Sequence, residues 1–430
     1  MNTDVVVIGA GQAGLAASAL LSRSGVDHVV LERGGVAHSW RTERWDSLRL
    51  LTPNWMTRLP GHRYTGTNPD GYMSANDVAR FLAAYCRRSR VPLITGAAVD
   101  SLAPGGRGFD VAAVGERWSC RAVVVATGAA STPSVPAIAA ALPARLTQVT
   151  SLAYRNAEQL RDGPVLVVGA SASGVQIADE LARSGREVVL SVGDHIRVPR
   201  CYRGRDIHHW LDAVGVLDER IDDVPDPRRA RRLPSLQLVG SSPQRDIDAT
   251  TLAALGVQMV GRLVGVAGSS LQFAGSIANM VTAADLKQNR LLDRVDAYIT
   301  RHDLDSAVGP PARPEPVRIE RAATTLDVRR FATVVWATGF RRHHPWAHHS
   351  LVDASGAIVH DRGVGAAPGL FVLGELFQRR RKSAFIDGVG TDAAELVPQL
   401  VECITRPSRT PGSRCGLRGA QRAPVIVEST

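Results

Sequence analysis

Residues 5–32 and 165–191 carry one pattern written twice, and this repeat constrains the fold more than any other feature of the chain. The first copy runs Val5-Val6-Val7-Ile8, then Gly9-Ala10-Gly11-Gln12-Ala13-Gly14, a helix-like stretch, and Val29-Val30-Leu31-Glu32. The second runs Val165-Leu166-Val167-Val168, then Gly169-Ala170-Ser171-Ala172-Ser173-Gly174, another helix-like stretch, and Val188-Val189-Leu190-Ser191. Each reads as strand, glycine turn, helix, strand, the context in which a glycine fingerprint marks a dinucleotide site. The repeat predicts an α/β protein with two Rossmann-like domains, and two dinucleotides that exchange electrons.

The positions have separate tasks. Gly9 lets the chain turn sharply off its strand, Gly11 clears a side chain so that backbone can approach a pyrophosphate, and Gly14 lets the helix pack closely on the sheet. The pyrophosphate then lies on free N–H groups at a helix N-terminus. Glu32 ends the next strand, 23 residues after Gly9, with Arg33 behind it. A carboxylate there accepts from both hydroxyls of an adenosine ribose, so the first site reads as FAD. In the second copy Gly169 and Gly174 are kept, Ser171 and Ser173 preserve small size, and Ser191 stands where the first copy has Glu32. A serine can donate to a 2′-phosphate that a carboxylate would repel. Arg197 and Arg200 follow within reach as phosphate partners, with solvated surface charge as the plain alternative. The second site reads as NADPH.

A chain of 430 residues fits two domains with excursions. No apolar run reaches the length of a membrane span. The apolar N-terminus carries Asp4 and no basic leader, which argues against a signal peptide, and a cytoplasmic location is expected. The five cysteines (Cys86, Cys120, Cys201, Cys403, Cys415) have no C-x-x-C spacing, against a disulfide framework, a zinc site or a dithiol redox centre. Of the net charge of +10, residues 406–430 supply +4 through five arginines and one glutamate. No basic stripe interleaved with aromatics accompanies it, so nucleic acid is not an expected partner.

The expected organisation is an FAD domain opening at 1–160, an NADPH domain with an irregular insertion at 161–330, a return to the FAD domain at 331–405, and a disordered basic tail at 406–430. Arg121–Gly128 reads as a buried strand ending in Ala126-Thr127-Gly128, echoed by Ala332–Phe340 with Ala337-Thr338-Gly339. Leu286, Leu291, Leu292, Val295 and Ile299 recur at helical spacing over 284–302. Pro368–Glu375 reads as a strand ending at Gly374-Glu375, and a helix is expected from Thr391 and Asp392, as caps, to about 404. The histidines His343, His344, His348 and His349 lack the carboxylates or cysteines of a metal site. The run Arg379-Arg380-Arg381-Lys382 reads as solvated charge.

Over residues 1–405 the chain resembles the flavin-containing monooxygenase superfamily, and within it bacterial flavoprotein oxidoreductases often labelled potassium-transport flavoproteins. The resemblance is carried by both fingerprints, Ser39-Trp40-Arg41, Arg44-Trp45-Asp46, Leu51-Thr52-Pro53-Asn54-Trp55-Met56, the two Ala-Thr-Gly turns, Trp336-Ala337-Thr338-Gly339-Phe340, and Gly374-Glu375. It implies a discontinuous FAD domain split by an inserted NADPH domain. It implies that Glu32 holds the adenosine ribose, that Trp40, Arg41 and residues 50–56 line the flavin, that Thr127 and Gly128 belong to the cofactor site, and that Gly374-Glu375 approach the ribityl–phosphate arm. Asn54 would match the asparagine near the reactive face of the flavin; a turn-capping role after Pro53 is the alternative.

The resemblance further implies hydride transfer from NADPH, formation of a C4a-hydroperoxyflavin with dioxygen, and oxygen transfer to a small-molecule substrate. The last helix would aim its positive end at the flavin. One departure bears on this. The phenylalanine–glycine–histidine–aromatic signature of N-hydroxylating members is missing; Thr150 stands in place of its histidine and only Tyr154 remains. The alternative is therefore an NAD(P)H-dependent flavoprotein reductase or dehydrogenase on the same architecture, and a third class is a non-enzymatic redox sensor.

Overall fold

The computed structural model describes residues 1–319 and 322–406, so the expected basic tail lies outside the described residues beyond Arg406. Two sheets form the body. The first has the spatial order His360–Asp361, Val364–Gly365, Leu370–Val372, Ala122–Val125, Val5–Ile8, His28–Glu32, Leu93–Thr95, and its last five strands are parallel. The second has the order Thr147–Thr150, Thr333–Trp336, Val165–Val168, Val188–Ser191, Gln258–Val260, all parallel. The central strands are continuous valine runs because both faces of a parallel sheet are covered. In the first unit, helices Gln12–Arg23, Ala75–Arg88 and Ile386–Thr405 pack on one face; a three-stranded antiparallel sheet (Val99–Gly105, Gly108–Ala113, Glu116–Cys120) packs on the other.

The repeat extends beyond the fingerprints. The second unit has its own three-stranded antiparallel sheet, Leu263–Ala267, Ser270–Phe273 and Thr325–Asp327, with helix Ile277–Arg301 inserted between its last two strands. In each unit this sheet is followed by a strand that ends in Ala-Thr-Gly and lies beside the fingerprint strand: Ala122–Val125 next to Val5–Ile8, and Thr333–Trp336 next to Val165–Val168. Strand pairing thus moves the domain limits expected at 160 and 331. Thr147–Thr150 and Thr333–Trp336 both belong to the second sheet. The chain crosses between units at Thr132–Pro133 and Phe340–Arg341, which pair antiparallel.

Two helices differ from expectation. The helix expected over 284–302 spans Ile277–Arg301; Leu292, Val295 and Ile299 are buried, but Leu286 faces solvent. The last helix begins at Ile386, not Thr391. Its glycines serve close packing rather than a break. A Cβ at Gly388 would overlap the Lys382 carbonyl oxygen, and one at Gly390 would lie 2.8 Å from Pro60 Cδ. Asp392 is no cap; it is fully buried against Arg380.

Candidate functional site

The two glycine turns have the same geometry. Gly9 and Gly169 both adopt φ +108°, where only glycine is comfortable. A Cβ on Gly9 would lie 2.6 Å from the Ala126 carbonyl oxygen, and one on Gly169 would strike that of Ala337. Gly14 and Gly174 pack so closely that a Cβ would overlap the carbonyl oxygens of Gly9 and Gly169. Gly11 has no atom within 4 Å of where its Cβ would project. Gly11 and Ser171 are the N-cap residues, and neither helix has a side-chain cap, so its first N–H groups remain for an anion. These cradles fit two dinucleotide pyrophosphates.

At the first cradle, Glu32 is buried and accepts from the backbone N–H of Ala10 at 2.7 Å and of Gly34 at 3.0 Å. Arg33 follows it at the surface, paired with Glu43, and Arg41 is exposed with its Nε on the Val36 carbonyl. Trp40 Nε1 donates to Gln12 Oε1 at 3.4 Å, and Gln12 Nε2 donates to the Ala384 carbonyl at 3.2 Å. Gln12, unremarked in the sequence, therefore brings Trp40 and the start of the last helix to the first fingerprint. Gly374 lies here too: a Cβ on it would sit 2.7 Å from Ala13 Cβ. Glu375 follows it, buried, with Oε2 accepting from Arg342 at 2.6 Å and lying 2.9 Å from His360 Nε2. Burial would raise its pKa, but His360 and Arg342 hold it below the usual range. Thr127 faces the buried His344 at 3.4 Å, and Gly128 is exposed at φ +86°, as is the residue's counterpart Gly339 in φ. The His344 Nδ1 has no partner among the described residues, and burial lowers the pKa of the ring.

The second cradle corrects three expectations. Ser191 is buried, with its hydroxyl donating to the Gly261 carbonyl and accepting from Leu263 N–H, each at 3.0 Å. Arg197 is buried between Asp248 at 2.8 Å and Asp285 at 2.6 Å. Arg200 is buried against Asp206. A guanidinium neutralised by carboxylates in the interior is not a phosphate receptor. The exposed charges past Ser191 are Asp194 and Arg262, paired at 3.1 Å; a Cβ on Gly193 would lie 3.5 Å from Arg262 Nε. Ser173 is half-buried on the first turn of the helix.

Between the units lies the strip Leu50–Met56. Asn54 is buried; its N–H donates to the Gly71 carbonyl at 2.8 Å and its Nδ2 to the Asn68 carbonyl at 2.9 Å. Its Oδ1 is buried without a partner among the described residues, as an acceptor reserved for a ligand would be. Next to it, Trp55 and Asp70 meet Arg205, Asp206, His209 and Gln244 of the second unit around a polar cavity of about 650 Å³. The run Arg379–Lys382 is not solvated charge. Arg379, Arg380 and Lys382 are buried, held by Glu395, Asp392, Asp218 and Asp387. Among the described residues, no three of His, Cys, Asp and Glu are grouped to hold a metal ion.

Residues 6–211 match the family model described as pyridine nucleotide-disulphide oxidoreductase. Over 409 residues the chain is 30% identical to an uncharacterized CzcO-like oxidoreductase of Geobacillus kaustophilus, covering 93% of this chain and 98% of that one. The chain belongs to the CzcO-like oxidoreductases. An indole-3-pyruvate monooxygenase of rice, YUCCA4, is 32% identical over 211 residues, 45% of this chain and 48% of that one. The fold of this CzcO-like oxidoreductase is shared with a flavin-containing monooxygenase from Stenotrophomonas maltophilia, at TM-score 0.64 and 22% identity over 93% of this chain and 98% of that one. It is also similar to the bacillithiol disulfide reductase of Bacillus cereus, at TM-score 0.58 and 15% identity over 94% and 99%. No helix among its described residues is long and apolar enough to cross a membrane.

Proposed function

We propose that the protein is an FAD- and NADPH-dependent monooxygenase that inserts one atom of dioxygen into a small polar molecule. The observation that supports this reading is the pair of glycine turns of one design, Gly9–Gly14 and Gly169–Gly174, each opening an uncapped helix. The first, inserted-into unit holds FAD: Glu32 takes the adenosine ribose, the helix N-terminus at Gly11 takes the pyrophosphate, and Gly374 lets backbone approach the arm. The second unit holds NADPH at Ser171–Gly174. When bound, the flavin supplies hydride acceptance and dioxygen activation. Asn54, fixed through Nδ2, presents Oδ1 as an acceptor to the amide N–H of the nicotinamide. The cavity at Trp55 and His209 receives the substrate.

With Ser191, Arg197 and Arg200 occupied, nucleotide choice falls to Arg262 and Asp194. Arg262 attracts a 2′-phosphate, and Asp194 partly cancels it. Oxygenation is the activity in the names of the rice and Stenotrophomonas proteins. Among the described residues, Cys86 and Cys120 are buried with thiol pKa values raised by burial, and the Cys201 thiol donates to Gln244 Oε1, which does not favour disulfide reduction. The test is NADPH turnover under ¹⁸O₂ with a thioether, a tertiary amine and a 2-oxo acid as probes. Labelled product from one of them supports the proposal. Hydrogen peroxide alone with all three supports the reductase reading, which the Thr150 departure favours.

A further inference from the structure

The strip that carries Asn54 belongs to the first unit by sequence, yet the second unit holds it. Leu50–Asn54 is tied to residues 68–73: Leu50 N–H donates to the Met73 carbonyl at 2.8 Å, and Asn54 N–H to the Gly71 carbonyl at 2.8 Å. Three side chains of the second unit grip this pair of segments. Arg200 Nη1 donates to the Leu51 carbonyl at 2.9 Å, and its guanidinium lies 4.7 Å from the centre of the Tyr72 ring. Asp206 accepts from Tyr72 Oη at 2.5 Å, and Gln244 Nε2 donates to the same oxygen at 2.7 Å. Arg200 and Asp206 pair with one another, and His208 closes the group, with Nδ1 3.1 Å from Arg200 Nη2. Backbone packing adds to the grip: a Cβ on Gly240 would overlap the Leu50 carbonyl oxygen and lie 2.9 Å from Tyr72 Cβ.

This cluster costs desolvation, and a buried charge cluster is weak as a source of stability alone; its better-attested use is to fix one register between parts. Here the register is that between Asn54 and the second glycine cradle. We propose that Tyr72, Asp206 and Arg200 are positioning residues that set the distance between the two nucleotides, acting through the Leu50–Asn54 strip. The inference rests on the proposed FAD and NADPH sites. The step it governs is transfer of hydride from the nicotinamide to the flavin, in which NADPH is oxidised and the flavin reduced. A misplacement of about 1 Å remote from the chemistry can cost about 100-fold in rate, so a small loss of register is visible.

The test is anaerobic reduction of the flavin-loaded protein by NADPH, followed as rate against NADPH concentration in wild type, Tyr72→Phe and Gly240→Ala. Tyr72→Phe removes only the hydroxyl; Gly240→Ala pushes the strip from the other side without touching a charge. The expected result is retained flavin in both, a limiting rate lowered by at least about tenfold, and half-saturation by NADPH within about twofold of wild type. A limiting rate at the wild-type value in either flavin-loaded variant overturns the proposal, as does a loss confined to half-saturation. Should one variant fail to hold flavin, the other decides. Wild type that binds no flavin, or that neither NADPH nor NADH reduces, rejects instead the functional reading beneath it.

Discussion

The Ala10 amide donates to Glu32 Oε2 at 2.7 Å, which makes the glycine turn and the acid at the end of the next strand one preorganised unit. Glu32→Gln keeps the shape but removes the charge and turns one acceptor into a donor facing backbone N–H groups. Hydrogen bonds to charged groups contribute about 1.5–3 kcal/mol. FAD affinity of the apoprotein is therefore expected to fall by roughly 10- to 100-fold on this scale, measured by quenching of flavin fluorescence on titration. Unchanged affinity would remove Glu32 from the ribose site.

Gly14 and Gly174 occupy equivalent positions over Gly9 and Gly169. Alanine at either forces backbone apart, at about 1–3 kcal/mol or more. The consequences separate the cradles. Gly14→Ala is expected to yield protein without yellow colour. Gly174→Ala is expected to retain FAD and to need at least about tenfold more NADPH for reduction, equivalent to about 1.4 kcal/mol. Visible spectra and reduction by dithionite against NADPH distinguish the two.

The Arg262–Asp194 pair gives the sign of nucleotide preference. Arg262→Ala removes the cation and is expected to lower the NADPH to NADH ratio of kcat/KM by about tenfold, while Asp194→Ser raises it by a similar factor. Arg197→Ala, by contrast, leaves Asp248 and Asp285 unpaired and is expected to lower stability with the ratio unchanged. Steady-state kinetics with both nucleotides, beside urea melts, checks the three together.

The fingerprints were legible because their constraints are local: a positive φ at Gly9 and a close approach at Gly14 need glycine whatever lies elsewhere. The motif singles out Asn54, while the lack of a partner for its Oδ1 among the described residues is a product of folding. The buried arginines depend on distant partners. Arg197 finds Asp248 and Asp285, and Arg380 finds Asp392 and Glu395, by chain return that no local pattern encodes. The expected boundary at 331 differs from the structure because Thr333–Trp336 pairs with Thr147–Thr150 and Val165–Val168 in the second sheet. Its Ala-Thr-Gly turn, compared with that at 126–128, marks it as the twin strand of the second unit. Thr391 and Asp392 mimic caps in sequence, but the helix starts at Ile386 and carries Gly388 and Gly390 inside it for close packing.

Asp206 gives a pH prediction. Burial would raise its pKa, but His208, Arg200 and Tyr72 outweigh this and hold it at about 2, below the ordinary 3.8. A depressed carboxyl stabilises the fold fully above its unfolded pKa, and this contribution declines as pH falls towards 2. It amounts to about 2 kcal/mol. The stability difference between wild type and Asp206→Asn in urea melts is expected to be constant from pH 7 to 5 and to shrink between pH 4 and 2. A difference that ignores pH would contradict the assignment.

Arg380 is buried, with Asp392 wholly enclosed beside it. Arg380→Ala strands that carboxylate, and breaking a buried pair on one side costs about 3–5 kcal/mol. A loss of this size in chemical denaturation is expected; a change below about 1 kcal/mol would mark the run as the solvated charge that its sequence suggests.

The most direct measurement is an anaerobic stopped-flow trace of the purified, FAD-reconstituted protein mixed with NADPH. Two nucleotides held across the Asn54 strip predict bleaching of the bound flavin, at a rate that saturates with NADPH. A protein that takes up no flavin, or one whose flavin dithionite reduces but NADPH and NADH do not, would contradict the account.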